Sequence, residues 1–252
     1  MGYADELFDL TDRVVLITGG SRGLGREMAF AAARCGADVI IASRNLESCE
    51  ATAAEIVQAT GRAVLAHQVH VGRWDQLDPL VGAAYDRFGK VDVLVNNAGM
   101  SPLYDGLGNV SEKLFDSVVN LNFKGPFRLS ALVGERMVAD GGGSIINVSS
   151  SGSLRPDEHM LPYAAAKAGL NVLTEGFAKA FGPTVRVNTL MAGPYLTDIS
   201  KAWDFGTGNP FSSLPLQRAG EPHEIIGAAL FLMSDASSFT TGSILRADGG
   251  FA

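Results

Sequence analysis

Apolar and polar positions along the chain follow two rhythms. Seven short runs are almost continuously apolar and rich in β-branched residues: RVVLIT (13–18), ADVIIAS (37–43), RAVLAHQVHV (62–71), VDVLVNN (91–97), GSIINVSS (143–150), VRVNTLM (185–191) and SILRAD (243–248). Runs of that length without in–out alternation suit strands covered on both faces. Between them lie helix-length segments at 23–35, 46–60, 74–88, 111–139, 161–181 and 221–234. Ser111 with Glu112, and Glu221-Pro222, read as helix starts. Strand and helix alternate, which predicts an α/β fold: a doubly wound parallel sheet with helices on both faces, in a single domain spanning 1–252. The longest irregular stretch, 192–219, is rich in Gly, Pro, Ser and Thr and reads as a substrate lid or binding loop.

Composition narrows the function. A chain of 252 residues is long enough to bury a core without staples. With a net charge of −7, a general nucleic-acid surface is excluded as an expectation. The two cysteines, Cys35 and Cys49, fall in helical stretches and have no metal-ligand spacing, so they read as buried or idle thiols of a reducing compartment. His67, His159 and His223 show no ligand spacing either, and no metal is expected. The start MGYADELFDL carries two acids by Glu6 and no apolar core, so no signal peptide is read there, and Glu6 replaces the Ser or Thr of a myristoylation signal. No apolar run is long enough to span a bilayer. A soluble cytoplasmic protein acting on a small molecule, with no membrane or nucleic-acid partner, is the expectation.

The candidate chemistry begins after the first strand, at TGGSRGLG (18–25). Gly19, Gly23 and Gly25 permit a tight turn and close backbone approach, and the helix that follows aims its N-terminus at a phosphate. Ser21, Arg22 and Leu24 complete this turn. At the end of the second strand, where a carboxylate selects the ribose 2′-hydroxyl of NAD, stand Ser43 and Arg44. With Arg22 they make two guanidiniums and no acid, which suits the 2′-phosphate of NADP, with NAD less favoured. Further on, in YAAAK (163–167), Tyr163 and Lys167 share a helix face, with small residues between them.

Taken in order, TGGSRGLG, NNAG (96–99), VNLNFKG (119–125), INVSS (146–150), YAAAK, the segment from Asn188 to Thr197, and DGG (248–250) resemble the short-chain dehydrogenase/reductase superfamily from about residue 10 to the C-terminus. The resemblance implies a Rossmann-type fold and hydride transfer between a nicotinamide and a carbonyl carbon. It assigns the general acid/base to Tyr163. Lys167 is to lower the phenol's pKa and to hold the nicotinamide ribose. Ser150, 13 residues before Tyr163, is to bind the substrate oxygen; Ser149 and Ser151 flank it, and only the spacing favours Ser150. Asn122 is to hold a relay water, with Asn120 as its rival.

By the same resemblance Asn97, Ala98 and Gly99 pass the adenosine ribose, and Gly193 and Thr197 lie near the carboxamide, although the usual proline has moved one place to Pro194. At the end of the third strand, where the family carries an aspartate against the adenine, His70 stands, followed by Val71. The segments 151–162 and 195–215 are to enclose the substrate, with Trp203 and Phe205 closing over a pocket and Arg155 meeting a carboxylate, hydroxyls or a surface ion-pair partner. Helices 111–139 and 161–181 imply a homotetramer or homodimer. The expected function is an NADP-dependent oxidoreductase of a polyol, sugar acid or small ketone. The alternatives are a 3-oxoacyl thioester reductase of fatty-acid type and a dinucleotide-binding regulator without turnover.

Overall fold

The computed structural model describes residues 2–198, 200 and 209–251. Seven strands form one parallel sheet: β1 (Val14–Thr18), β2 (Asp38–Ser43), β3 (Val64–Gln68), β4 (Val93–Asn96), β5 (Gly143–Ser150), β6 (Val185–Ala192) and β7 (Ile244–Ala247). Their spatial order is β3-β2-β1-β4-β5-β6-β7. The order reverses beside β1, where Val15 faces Val39 of β2 on one side and Val93 of β4 on the other. A doubly wound sheet opens a crevice at the carboxyl ends of its strands at such a reversal.

The helices are α1 (Tyr3–Leu7), α2 (Gly23–Arg34), α3 (Leu46–Thr60), α4 (Leu77–Phe88), α5 (Glu112–Val119), α6 (Gly125–Ala139), α7 (Leu161–Phe181) and α8 (Ile226–Met233). Successive strand residues point to opposite faces, so each apolar run feeds two cores. Val15, Ile17, Val39 and Ile41 pack with Met28 and Ala32 of α2, Ile56 of α3 and Leu232 of α8. Val14, Leu16, Ile40 and Leu94 pack with Leu80 of α4 and with Leu129 and Val133 of α6. Each fully buried Leu or Ile contributes roughly 1.5–3 kcal/mol, which is why these strands are apolar on both faces.

The single helix expected over 111–139 is interrupted. Between α5 and α6 the chain makes a π turn over Asn120–Lys124. Two local causes act together. Pro126 has no N–H to offer the carbonyl four residues back, and the Asn122 amide turns onto its own helix, donating to the Val118 carbonyl at 2.9 Å. The Ser111 start is as expected, its hydroxyl accepting from Leu114 N–H at 3.2 Å. The third strand stops at Gln68, short of 71, because the His70 N–H is drawn to the Gln76 side chain at 2.7 Å. Trp203, Asp204 and Phe205 lie outside the described residues. No helix among the described residues is long and apolar enough to cross a membrane.

Candidate active site

A cavity of about 1140 Å³ opens along the carboxyl edge of the sheet. That exceeds the usual 300–1,000 Å³ of small-ligand sites and leaves room for an extended ligand beside a second, smaller one. Its walls include Gly19, Ser21, Arg22, Gly23, Leu24, Ser43, Arg44, Val71, Asn97, Ala98, Gly99, Ser150, Tyr163, Lys167, Gly193 and Thr197. Of the residues expected to contact the dinucleotide or carry the chemistry, Gly25, His70 and Asn122 lie behind this wall.

At one end stands the glycine turn. Gly19 has φ +67°, a conformation that costs glycine nothing. The Asn97 side chain braces the turn from behind, donating to the carbonyls of Thr18 at 2.9 Å and Gly19 at 3.3 Å. Thr18, which opens the TGGSRGLG motif but has no role of its own in the sequence reading, accepts from the backbone N–H groups of Asn97 and Ala98 at 3.0 and 3.1 Å. It locks the first and fourth strand ends together. A Cβ on Gly25 would sit 2.3 Å from the Gly19 carbonyl, so Gly25 serves the closeness of helix and turn. Helix α2 starts at Gly23 with no side chain capping its free N–H groups, the arrangement that receives a phosphate.

Ser21 and Ser43 stand 3.0 Å apart through their hydroxyls, and the buried Cys49 thiol lies 3.0 Å from the Ser43 hydroxyl. Arg22 pairs with Asp198 at 3.6 Å. Arg44 is exposed and has no ion pair among the described residues. His70 does not reach this wall: its Nδ1 accepts the Gly72 N–H at 3.1 Å, while Gln68, Val69 and Val71 line the cavity there. Glycines that admit a backbone and an uncapped helix end beside a hydroxyl-rich rim fit the pyrophosphate and ribose of a dinucleotide.

At the other end α7 brings Tyr163 and Lys167 together, the Lys167 Nζ lying 5.8 Å from the Tyr163 ring centre. Three neighbouring serines reach the cavity, and their bonding separates them. Ser149 donates to the Lys167 carbonyl at 3.3 Å and so is committed to α7. The Ser150 hydroxyl lies near enough to Tyr163 to act on its titration, and it accepts the Gly152 N–H at 3.2 Å. Asn122 is fully buried; it accepts from Met100 N–H at 3.2 Å and donates to the Met100 carbonyl at 2.9 Å. A Cβ on Gly99 would lie 2.8 Å from Asn122 Oδ1 and 3.6 Å from Lys167 Nζ, so the two converge on that glycine. Asn120 is half-buried at the start of the same π turn.

The electrostatics differ from the expectation of a phenol pulled down by its neighbour. Burial raises the Tyr163 pKa above its ordinary value, and the nearby Ser150 hydroxyl works the other way. Lys167 is only 3% exposed. Burial pushes its pKa down to about 8, and its ammonium donates to the Val148 carbonyl at 2.7 Å. Each group loses water on entering the site, and desolvation favours the neutral form of both. The resting tyrosine therefore holds its proton.

Comparison with known proteins agrees with this architecture. The family model described as enoyl-(acyl carrier protein) reductase matches residues 19–252. Peroxisomal 2,4-dienoyl-CoA reductase of Danio rerio is 37% identical over 254 residues, covering 98% of this chain and 83% of its own. L-rhamnose 1-dehydrogenase (NAD(P)(+)) of Azotobacter vinelandii is 37% identical over 249 residues, covering 96% and 97%. Among solved structures, a gluconate 5-dehydrogenase assigned from Beutenbergia cavernae, with bound NADP, superposes with a TM-score of 0.91 at 30% identity, covering 97% of this chain and 98% of its own. The relatives share the fold and the oxidoreductase class and differ in substrate. The chain belongs to the short-chain dehydrogenase/reductase superfamily, oxidoreductases that bind a nicotinamide dinucleotide.

Proposed function

We propose that the protein is an NADP-dependent oxidoreductase that interconverts a secondary alcohol and a ketone. The observation that carries this reading is that Ser150, Tyr163 and Lys167, one helical turn on, line the same cavity as the glycine turn, with the Lys167 Nζ 5.8 Å from the Tyr163 ring centre. The dinucleotide supplies or takes up the hydride. In the reductive direction the Ser150 hydroxyl donates to the substrate carbonyl oxygen and polarises it. Tyr163, protonated at rest, passes its proton to that same oxygen. The Lys167 ammonium then favours the phenolate left behind. Its tuning role thus falls after proton transfer rather than before. Asn122 holds the loop at Gly99 and Met100 beside Lys167.

The preference for NADP draws on the rim formed by Ser21, Ser43 and Arg44, where an unpaired guanidinium suits a 2′-phosphate. Arg44→Ala tests it. NADPH affinity is expected to fall about tenfold or more, with NADH nearly unaffected, read by fluorescence titration; equal losses would remove the assignment. A homotetramer or homodimer built on α5–α7 is part of the proposal, supported by exposed Phe115, Phe127 and Val172 on those helices.

The substrate is taken as a polyol, sugar acid or small ketone. Reduction of a 3-oxoacyl thioester is the second reading, supported by the 3-oxoacyl-(acyl-carrier-protein) reductase of Chlamydia trachomatis, 37% identical over 246 residues. An acidic carrier would need free basic residues, and Arg128 Nη2 already donates to both carboxylate oxygens of Asp78, at 2.8 and 2.9 Å. A regulator without turnover has little reason to keep both Tyr163 and Lys167 in the cavity. Turnover of a ketone and polyol panel with each dinucleotide, followed at the nicotinamide absorbance, decides among the three.

A further inference from the structure

The charged side chains that line the cavity do not balance. Arg22 pairs with Asp198 at 3.6 Å, and Lys167 donates to the Val148 carbonyl. Asp157 accepts the His159 N–H at 2.9 Å through Oδ1. Two guanidiniums, those of Arg44 and Arg155, have no carboxylate partner among the described residues although both line the cavity. Arg44 belongs to the ribose rim. Arg155 stands five residues beyond Ser150, on the wall of the opposite, reacting end.

The backbone that carries Arg155 is held at both ends. Its N–H donates to the Ser151 carbonyl at 3.0 Å, directly after the Ser150–Gly152 turn. On the far side the Tyr104 hydroxyl donates to the Glu158 carbonyl at 2.6 Å and accepts the Leu161 N–H at 2.9 Å. Tyr104 thereby ties the loop bearing Met100 and Ser101 to the start of α7, whose N-cap residue Met160 makes no cap of its own. Arg155 thus lines the cavity from a segment hydrogen-bonded at both ends, which joins Ser150 to Tyr163 along the chain.

We propose that the substrate carries an anionic group, a carboxylate or a phosphate ester, received by the Arg155 guanidinium while the reacting carbon lies between Ser150 and Tyr163. A guanidinium fork binds either anion through paired, charge-assisted hydrogen bonds. Asp157 on the same wall opposes the anion, so the expected gain is about tenfold rather than larger. This inference rests on the oxidoreductase reading and gives its substrate a charge.

The test compares matched pairs with the whole enzyme and both dinucleotides: gluconate against glucitol, acetoacetate against its methyl ester, and dihydroxyacetone phosphate against dihydroxyacetone. The anionic member of at least one pair is expected to have the higher kcat/KM by about tenfold. The first two pairs report a carboxylate and the third a phosphate. In Arg155→Ala that ratio should collapse toward one, mainly through KM; Arg155→Lys should restore part of it and Arg155→Glu should reverse it. NADPH affinity, measured separately, should stay at the wild-type value in all three. Turnover that ignores substrate charge, or a ratio unchanged in Arg155→Ala, overturns the anion site and leaves the oxidoreductase reading standing. No turnover of any pair with either dinucleotide overturns both.

Discussion

Replacing Lys167 by methionine should make the empty protein more stable at neutral pH. The side chain is 3% exposed and its charge is held by burial at a cost. An ordinary lysine titrates near 10.5, and here the pKa is about 8. At 1.36 kcal/mol per pH unit the difference is about 3 kcal/mol. Losing the hydrogen bond to the Val148 carbonyl returns roughly 1–2 kcal/mol of this, so a net gain of about 1–2 kcal/mol is expected. The pH dependence gives the sharper reading. Between about pH 8 and 10.5 the unfolded chain still holds the proton that the folded one has released. The unfolded state then binds more protons, and wild-type stability must rise with pH in that window. Below about pH 8 both states are charged and the full penalty remains. Integrated from pH 7.5 to 9.5, the relief is about 2 kcal/mol for wild type and absent for Lys167→Met. Other titrating groups largely cancel in the comparison. Urea unfolding at the two pH values, without dinucleotide and at one protein concentration, measures it. Parallel pH dependence in the two proteins would refute the burial argument.

Two further substitutions probe the two ends of the cavity. Tyr163→Phe removes the proton donor while keeping the ring; turnover should fall by about 10²–10⁴ with NADPH affinity nearly intact, and near-normal turnover removes the proposed acid/base. Gly25→Ala would place a methyl 2.3 Å from the Gly19 carbonyl and 2.5 Å from Asn97 Nδ2; it should cost about 1–3 kcal/mol and weaken dinucleotide binding, and an unchanged melting temperature with unchanged binding would contradict the tight packing of helix and turn.

Much of this architecture is legible in the residues themselves. Continuous apolar runs announce buried strands because both sheet faces are covered, and the glycines of 18–25 and the spacing of Tyr163 to Lys167 follow from local geometry. What is hidden depends on three-dimensional neighbours. Three serines in a row look alike until Ser149 is seen to bond α7 and Ser150 to stand beside Tyr163 at the cavity wall. Thr18 reads as one more strand residue, yet it fastens two strands that are distant in sequence. The direction of the tyrosine and lysine pKa values depends on how much water each has lost, and sequence spacing carries no measure of that. The break within 111–139 did have a local signal in Pro126, outweighed by the strong helical periodicity on either side.

That break has a geometric consequence for the outer surface. A widened turn adds the equivalent of one residue, so everything after it is out of phase by roughly 100°. In an unbroken helix Phe115 and Phe127 would point roughly 120° apart; the extra residue brings them to within roughly 20° of a shared direction. One asparagine and one proline, chosen by the interior, thereby line up two aromatic rings on the exterior. Deleting a single residue from 120–124 would let the turn close into a regular helix with the two rings eleven residues apart, roughly 20° from a shared direction, so the aromatic face would survive while the lysine's neighbourhood lost its asparagine brace.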